Sequence, residues 1–228
     1  METLTAAPVA ITPDYQRDGV TLYLADCLDV LPQLTGIDAV ITDPPYGIAH
    51  QCNFASRGRS NLAQCNDYSD VIGDDKPFDP SPWLPFPKVV LWGANHFADK
   101  LPPVSGWLIW DKERPDTLDQ STAELAWTNC VKGVRRFRHL WNGMMRASEQ
   151  GESYHPTQKP AALMCWILRL PWIADSGTVV DPYMGCGPTA LACIRTGRRF
   201  VGIEKERKYF EIARDRIDRE LNQGVLAL

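Results

Sequence analysis

Apolar and polar positions follow two periods along this chain, and most elements can be read from them. Val20-Thr21-Leu22-Tyr23-Leu24 alternates as a half-buried strand does. Leu28, Leu31 and Leu34 then recur at helical spacing, and Pro32 limits that helix to a short piece. Short apolar runs at Ala39–Ile41, Lys88–Trp92, Gly106–Trp110, Gly177–Val180 and Phe200–Ile203 read as buried strands, each ending in polar or turn residues. Leu163, Ile167 and Leu170 predict a helix opened by the stiff loop Tyr154–Pro160, with Thr157 as its N-cap and Pro160 in its first turn. A further helix is predicted from about Pro188 to Arg195. The last carries Phe210, Ala213, Ile217 and Leu221 on one stripe. Strands alternating with helices predict a single α/β domain over residues 1–228 with a mostly parallel sheet.

The periodicity fails in three places. Residues 1–18 mix Thr, Pro, Ala and Asp and read as a tail or a loosely docked arm. Residues 48–79 are rich in Gln, Asn, Ser, Asp and Gly around Arg57 and Arg59. Such a stretch is either a mobile surface loop or a lid that closes over a site. Residues 113–150 are first acidic; Lys132, Arg135, Arg136, Arg138 and Arg146 then appear among Phe137, His139 and Trp141. Basic residues interleaved with aromatics suit phosphate contact and base stacking, and equally a solvated face over core aromatics.

Composition narrows the classes. The chain is 44% hydrophobic, ordinary for a globular protein, and no apolar run approaches membrane-span length. A cytoplasmic enzyme or binding domain is expected. Its seven cysteines are scattered, without a CxxC pair, which argues against a disulfide framework or a structural metal site. Cys165, Cys186 and Cys193 sit among apolar or small residues and read as packing. The formal charge of −4 means that a polyanion must be met by a local basic patch.

Two stretches carry candidate chemistry. Asp43-Pro44-Pro45-Tyr46 follows a buried strand that the first proline stops, leaving a carboxylate and a ring at the mouth of a sheet. Alone it could be only a turn. Gly185-Cys186-Gly187-Pro188-Thr189-Ala190 fits G-x-G-x-x-A between a strand and a helix, and Glu204 closes the next strand, where a nucleotide-binding unit places its ribose acceptor. Asp181, at the strand end, is poor company for a pyrophosphate. It suits a nucleoside that carries a cation, a sulfonium or an ammonium.

Asp43-Pro44-Pro45-Tyr46, His155-Pro156-Thr157-Gln158-Lys159-Pro160 and Asp181-Pro182-Tyr183-Met184-Gly185-Cys186-Gly187 resemble three motifs of the amino-group DNA methyltransferases. Their order, tetrapeptide first and glycine loop last, is similar to the circularly permuted beta-type arrangement, and the likeness runs from about Leu22 to Ile217. Pro188 departs from it, standing where the family usually has threonine. The resemblance implies a Rossmann-like, doubly wound methyltransferase fold with S-adenosylmethionine as cofactor and a small inserted recognition segment at 113–150. It implies a catalytic set Asp43, Pro44, Pro45 and Tyr46. Around the cofactor it implies Asp26 and Cys27 near the adenine, Thr157 and Lys159 near the methionine carboxylate, Asp181 and Gly185 shaping the methionine pocket, Glu204 on the ribose, and Asp43, Tyr183 and Gly187 as further cofactor-binding residues.

The implied substrate is double-stranded DNA. Arg57, Arg59, Lys132, Arg135, Arg136, Arg138 and Arg146 are candidate contacts. Asp at the head of the tetrapeptide implies adenine N6 as the target, with cytosine N4 as the rival. An RNA or protein methyltransferase ranks lower, because there the glycine loop normally comes first. A silent DNA-binding module of the same fold is the reading from a different class. A restriction-modification setting is expected although the chain shows no nuclease motif of its own, a homodimer is expected by analogy, and no metal is.

Overall fold

The computed structural model describes residues 11–48, 73–117, 121–142, 145–150, 153–155 and 157–226. Residues 1–10, Arg57 and Arg59 with the bulk of the 48–79 segment, and Cys52 and Cys65 lie outside the described residues.

The first element falls within the predicted tail. β1 (Tyr15–Arg17) pairs antiparallel with β2 (Val20–Leu24), Tyr15 opposite Leu22. Asp18 and Gly19 both hold positive φ, 47° and 82°, as a two-residue hairpin turn requires. That turn converts the end of the tail into an edge strand. α1 (Cys27–Val30) follows, cut short at Leu31-Pro32-Gln33, which form a 3₁₀ turn. Next come β3 (Ala39–Thr42), β4 (Lys88–Trp92), β5 (Trp107–Asp111), β6 (Ala123–Thr128) and β7 (Val134–Arg138). A small hairpin, β8 (Trp141–Asn142) and β9 (Met145–Arg146), leads to α2 (Ala161–Leu168). The chain closes with β10 (Thr178–Asp181), α3 (Pro188–Arg195), β11 (Arg199–Glu204) and α4 (Arg207–Leu226).

The main sheet has nine strands in the order β1-β2-β11-β10-β3-β4-β6-β5-β7. From β2 to β4 all neighbours run parallel; β6 is antiparallel to both β4 and β5, and β7 is parallel to β5. Part of the 113–150 segment therefore belongs to the sheet itself. β6 and β7 extend it past β4, and only the β8–β9 hairpin stands apart.

Both faces of the sheet are covered. Ile41, Val90 and Val179 pack with Leu163, Ala190 and Ile217 of α2, α3 and α4. Their neighbours Val40, Val89 and Val180 pack the other way, with Val30, Trp83 and Phe97. That is why β3 and β10 are apolar without alternation: strands buried on both faces have no solvent side. Each such Val or Ile stabilises the fold by about 1.5–3 kcal/mol relative to exposure. Among the described residues no helix is long and apolar enough to cross a membrane.

β3 and β10 are neighbours in mid-sheet, but the chain leaves them in opposite directions, from β3 out to β4 and from β10 out to β11. Their carboxyl ends are tied together where the Thr42 hydroxyl donates to Asp181 Oδ1 at 2.6 Å. An open α/β sheet has its ligand crevice at such a switch point.

Candidate active site

A cleft of about 1090 Å³ opens at this point. Asp43, Pro44, Pro45 and Tyr46 line it from the end of β3. Asp26, Cys27, Thr157, Lys159, Asp181, Tyr183, Gly185 and Glu204, the residues expected around a cofactor, line it as well. Gly187 lies just behind the wall, in the left-handed conformation that starts α3.

The tetrapeptide is held from several sides. The Tyr46 hydroxyl donates to one oxygen of Asp43, and the Lys159 ammonium donates to the other. Lys159 also reaches the Tyr46 hydroxyl at 3.2 Å. The Tyr46 ring stacks on His96, centroids 4.9 Å apart and planes 12° from parallel. Gly93 passes so close to that ring that a Cβ there would lie 1.9 Å from Tyr46 Cε1. Asp74, beyond the 49–72 stretch, accepts the backbone N–H groups of Tyr46 and Gly47, both at 2.9 Å, so the two ends of the 48–79 segment meet at the tetrapeptide.

Burial sets the charges. It pushes the Asp43 carboxyl above the usual carboxylate range, against the pull of Lys159. It opposes the Lys159 ammonium too, but Asp43 and Glu124 hold that lysine protonated. Glu124, on β6, pairs with Lys159 at 2.9 Å and with Lys112 at 2.5 Å. Burial works against its charge, yet the two lysines bring it down to about 2.

On the glycine-loop side, Asp181 accepts from Thr42 and, at 2.7 Å, from the Thr189 hydroxyl, and burial pushes it up to about 6. Thr189 thus supplies a hydroxyl one residue after Pro188, the position where the family pattern has threonine. Glu204 accepts the N–H of Gly185 at 2.9 Å and of Glu206 at 2.8 Å, and burial pushes it up to about 7. Asp26 caps α1 through the N–H of Leu28 at 3.0 Å and pairs with Lys205 at 2.9 Å, which lowers its pKa. Burial raises the Cys27 thiol to about 11, which keeps it out of nucleophilic chemistry.

The α2 start departs from the expected capping. The helix begins only at Ala161, with Pro160 in the cap position and no side-chain cap. Thr157 sits too early to serve, and its hydroxyl lies 3.1 Å from Nδ1 of His155. Glu149 caps the helix instead, accepting the Ala161 N–H at 2.9 Å. Its other oxygen takes a hydrogen bond from Arg216 of α4 at 2.6 Å. Arg216, itself buried, also donates to the carbonyl of Cys186 in the glycine loop at 2.7 Å.

The basic candidates do not reach the cleft. Lys132, Arg135, Arg136 and Arg138 are exposed on and just before the edge strand β7. Arg135 stacks over Trp172 and Arg138 pairs with Asp111 at 3.3 Å. Arg146 lies over Trp141, 4.1 Å from the ring centroid. Cleft-lining residues that sequence reasoning missed are Asp74, His96, Lys112, Arg114 and Glu124. Lys112 had a signal, since it follows a strand end as Asp43 does. Among the described residues no group of three or more His, Cys, Asp and Glu is placed to hold a metal ion.

A family model of N6/N4 methyltransferases, described as DNA methylase, matches residues 109–215. The chain is 23% identical over 257 residues to the Type II methyltransferase M2.LlaDCHI of Lactococcus lactis subsp. cremoris, covering 93% of this chain and 94% of that protein. It is 24% identical over 252 residues to the Type II methyltransferase M2.DpnII of Streptococcus pneumoniae, covering 91% and 93%. Among solved structures, the M1.HpyAVI–SAM complex superposes with a TM-score of 0.54 at 24% identity, covering 86% of this chain and 99% of that one. The cytosine-N4-specific PvuII DNA methyltransferase superposes at 0.58 with 14% identity, covering 93% and 94%. The two solved structures share the α/β methyltransferase fold. With the motifs gathered at one switch point, these matches support an N6/N4 amino-group DNA methyltransferase.

Proposed function

We propose that the chain transfers a methyl group from S-adenosylmethionine to the exocyclic N6 of an adenine turned out of double-stranded DNA. The observation that carries this reading is the convergence of Asp43 and Tyr46 with Asp181, Gly185 and Glu204 on one cleft. The donor set fits the cofactor. Glu204 is a half-buried carboxylate, one oxygen on the Gly185 N–H of the glycine loop and the other on the Glu206 N–H, and it suits ribose hydroxyls. Asp181 places negative charge beside the methionine end, Tyr183 and Cys27 wall the side towards Asp26, and the volume has room for a base as well. Bound there, S-adenosylmethionine supplies an electrophilic methyl on a sulfonium.

The chain's own groups do the rest. An exocyclic amine conjugated to a base ring is a poor nucleophile. Asp43 and the Pro44 carbonyl accept hydrogen bonds from its N–H groups, draw the nitrogen towards tetrahedral geometry and stabilise the positive charge it develops. Pro44 and Pro45 offer carbonyls with no competing N–H. Tyr46 provides a stacking face that offsets part of the few kcal/mol lost when the base leaves the helix. The aspartate at the head of the tetrapeptide supports adenine over cytosine. The test is transfer of labelled methyl to unmethylated DNA, followed by separation of the nucleosides. Label in N6-methyladenine is expected; label in N4-methylcytosine would keep the mechanism and reassign the base.

Cofactor affinity should depend on pH through Glu204. Its carboxyl titrates at about 7 in the free protein, and only the ionised form accepts two ribose hydroxyls. The dissociation constant of S-adenosylhomocysteine, measured by calorimetry, is expected to be flat above about pH 7 and to rise by up to about tenfold per unit below it. In Glu204→Gln it should be weaker and lose the inflection near pH 7, keeping only the dependence that Asp181 gives at about pH 6 and below.

The exposed arginines of β7 suit the DNA backbone. Arg136→Ala is expected to weaken DNA binding and to lower the slope of log K against log salt by about one. An unchanged slope would move the contact elsewhere.

A further inference from the structure

Lys159 is buried, its side chain 3% exposed, and its ammonium lies between two carboxylates, Asp43 and Glu124. Glu124 comes from β6, the strand between β4 and β5, and its other oxygen pairs with Lys112, the residue after β5. Tyr46, Asp43, Lys159, Glu124 and Lys112 thus form one run of polar contacts, alternating in charge from Asp43 onward, that starts at the tetrapeptide and passes along the cleft wall. Burying ions costs several kcal/mol each unless they are well paired, and apolar residues of similar volume often serve a fold as well or better. The quartet sits against the residue that carries the proposed chemistry, which points to a use beyond packing.

We propose that Glu124 is a positioning residue for methyl transfer: by sharing Lys159 with Asp43, it lets an ammonium orient Asp43 without cancelling its charge. The inference rests on Asp43 being the acceptor for the target amine. Lys159 held by Asp43 alone would neutralise that carboxylate. It would also set a fixed positive charge beside a nitrogen that becomes positive in the transition state, which is repulsive. Glu124 draws part of the ammonium away and returns a negative charge to the region. The groups facing Asp43 are Tyr46 from its own loop, Lys159 from the loop before α2, Glu124 from β6 and Asp181 from β10. Lys112 and Arg114 sit beyond Glu124. With Glu124 neutral, Asp43 loses a like charge and gains more of Lys159, so both effects make it a weaker base.

The test is steady-state methyl transfer to DNA by the full chain from about pH 5 to about pH 9. Wild-type turnover that Asp43→Ala abolishes establishes the underlying reading; failure there is a failure of that reading, not of this one. Given that turnover, Glu124→Gln is expected to lower kcat by about tenfold, leave KM for S-adenosylmethionine within about twofold and move the acid limb of the kcat profile to lower pH. Glu124→Asp should restore part of both. Lys112→Met leaves Glu124 to Lys159 alone and should move the limb the other way. A Glu124→Gln enzyme with wild-type kcat and an unmoved limb overturns the proposal. Should that variant fail to fold, an unmoved or lowered limb in Lys112→Met overturns it.

Discussion

Asp43→Ala is expected to lower kcat for methyl transfer to DNA by about a thousandfold, the upper end of the cost of losing one electrostatic partner in a preorganised site. S-adenosylhomocysteine should still bind within a few-fold of wild type, because Asp181 and Glu204 keep their own partners. Two effects add in this variant. The amine loses its acceptor, and Lys159 loses one of its two carboxylates, so an ammonium is left beside the developing charge. Asp43→Asn separates them: it retains an acceptor oxygen but no charge, and should fall between wild type and alanine. A kcat for Asp43→Ala within tenfold of wild type would remove Asp43 from the chemistry.

The second large effect concerns stability. Arg216→Ala is expected to cost about 3 kcal/mol, because it leaves the half-buried carboxylate of Glu149 without its charge partner. For a domain of this size that lowers Tm by roughly 10 °C, readable by thermal unfolding. The same guanidinium holds the Cys186 carbonyl, so the glycine loop loses a support and cofactor affinity should fall with Tm. Arg216→Lys keeps the charge but lacks the planar fork that serves both partners, and should recover only part of the loss. A Tm within about 3 °C of wild type for Arg216→Ala would show that the pair is solvated in solution.

The sheet was readable in the sequence where strands are buried on both faces. β2 and β4 fall on the predicted residues, and β3, β5, β10 and β11 lie within a residue or two. β1 is masked in the sequence by the tail-like composition around it, although Asp18-Gly19 is a strong hairpin signal. β6 and β7 were hidden for a physical reason. Glu124 is a poor strand residue on its own and is tolerated only because Lys112 and Lys159 meet it in space. The charges of β7 point outward from a sheet edge, so they read as a basic patch and not as a strand.

The candidate site divides the same way. Residues attached to strand ends could be placed from the sequence, since a strand end implies a mouth. The partners of Lys159 could not, because Asp43 lies 116 residues away along the chain. Nor could Glu149, whose helix cap and ion pair to Arg216 are visible only once the chain has closed on itself.

The pairing of β3 with β10 has a consequence for how the protein is made. Ala39 lies opposite Val179 and Val40 opposite Val180, so the middle of the sheet is closed by a contact of very high sequence separation. Closing so long a loop is entropically costly and slow, and it cannot begin before β10 has left the ribosome. Until then β3 presents an open apolar edge beside Asp43, with no second wall to the cleft. Fragments released early in synthesis would therefore carry the tetrapeptide but no crevice, and an exposed strand edge that invites aggregation.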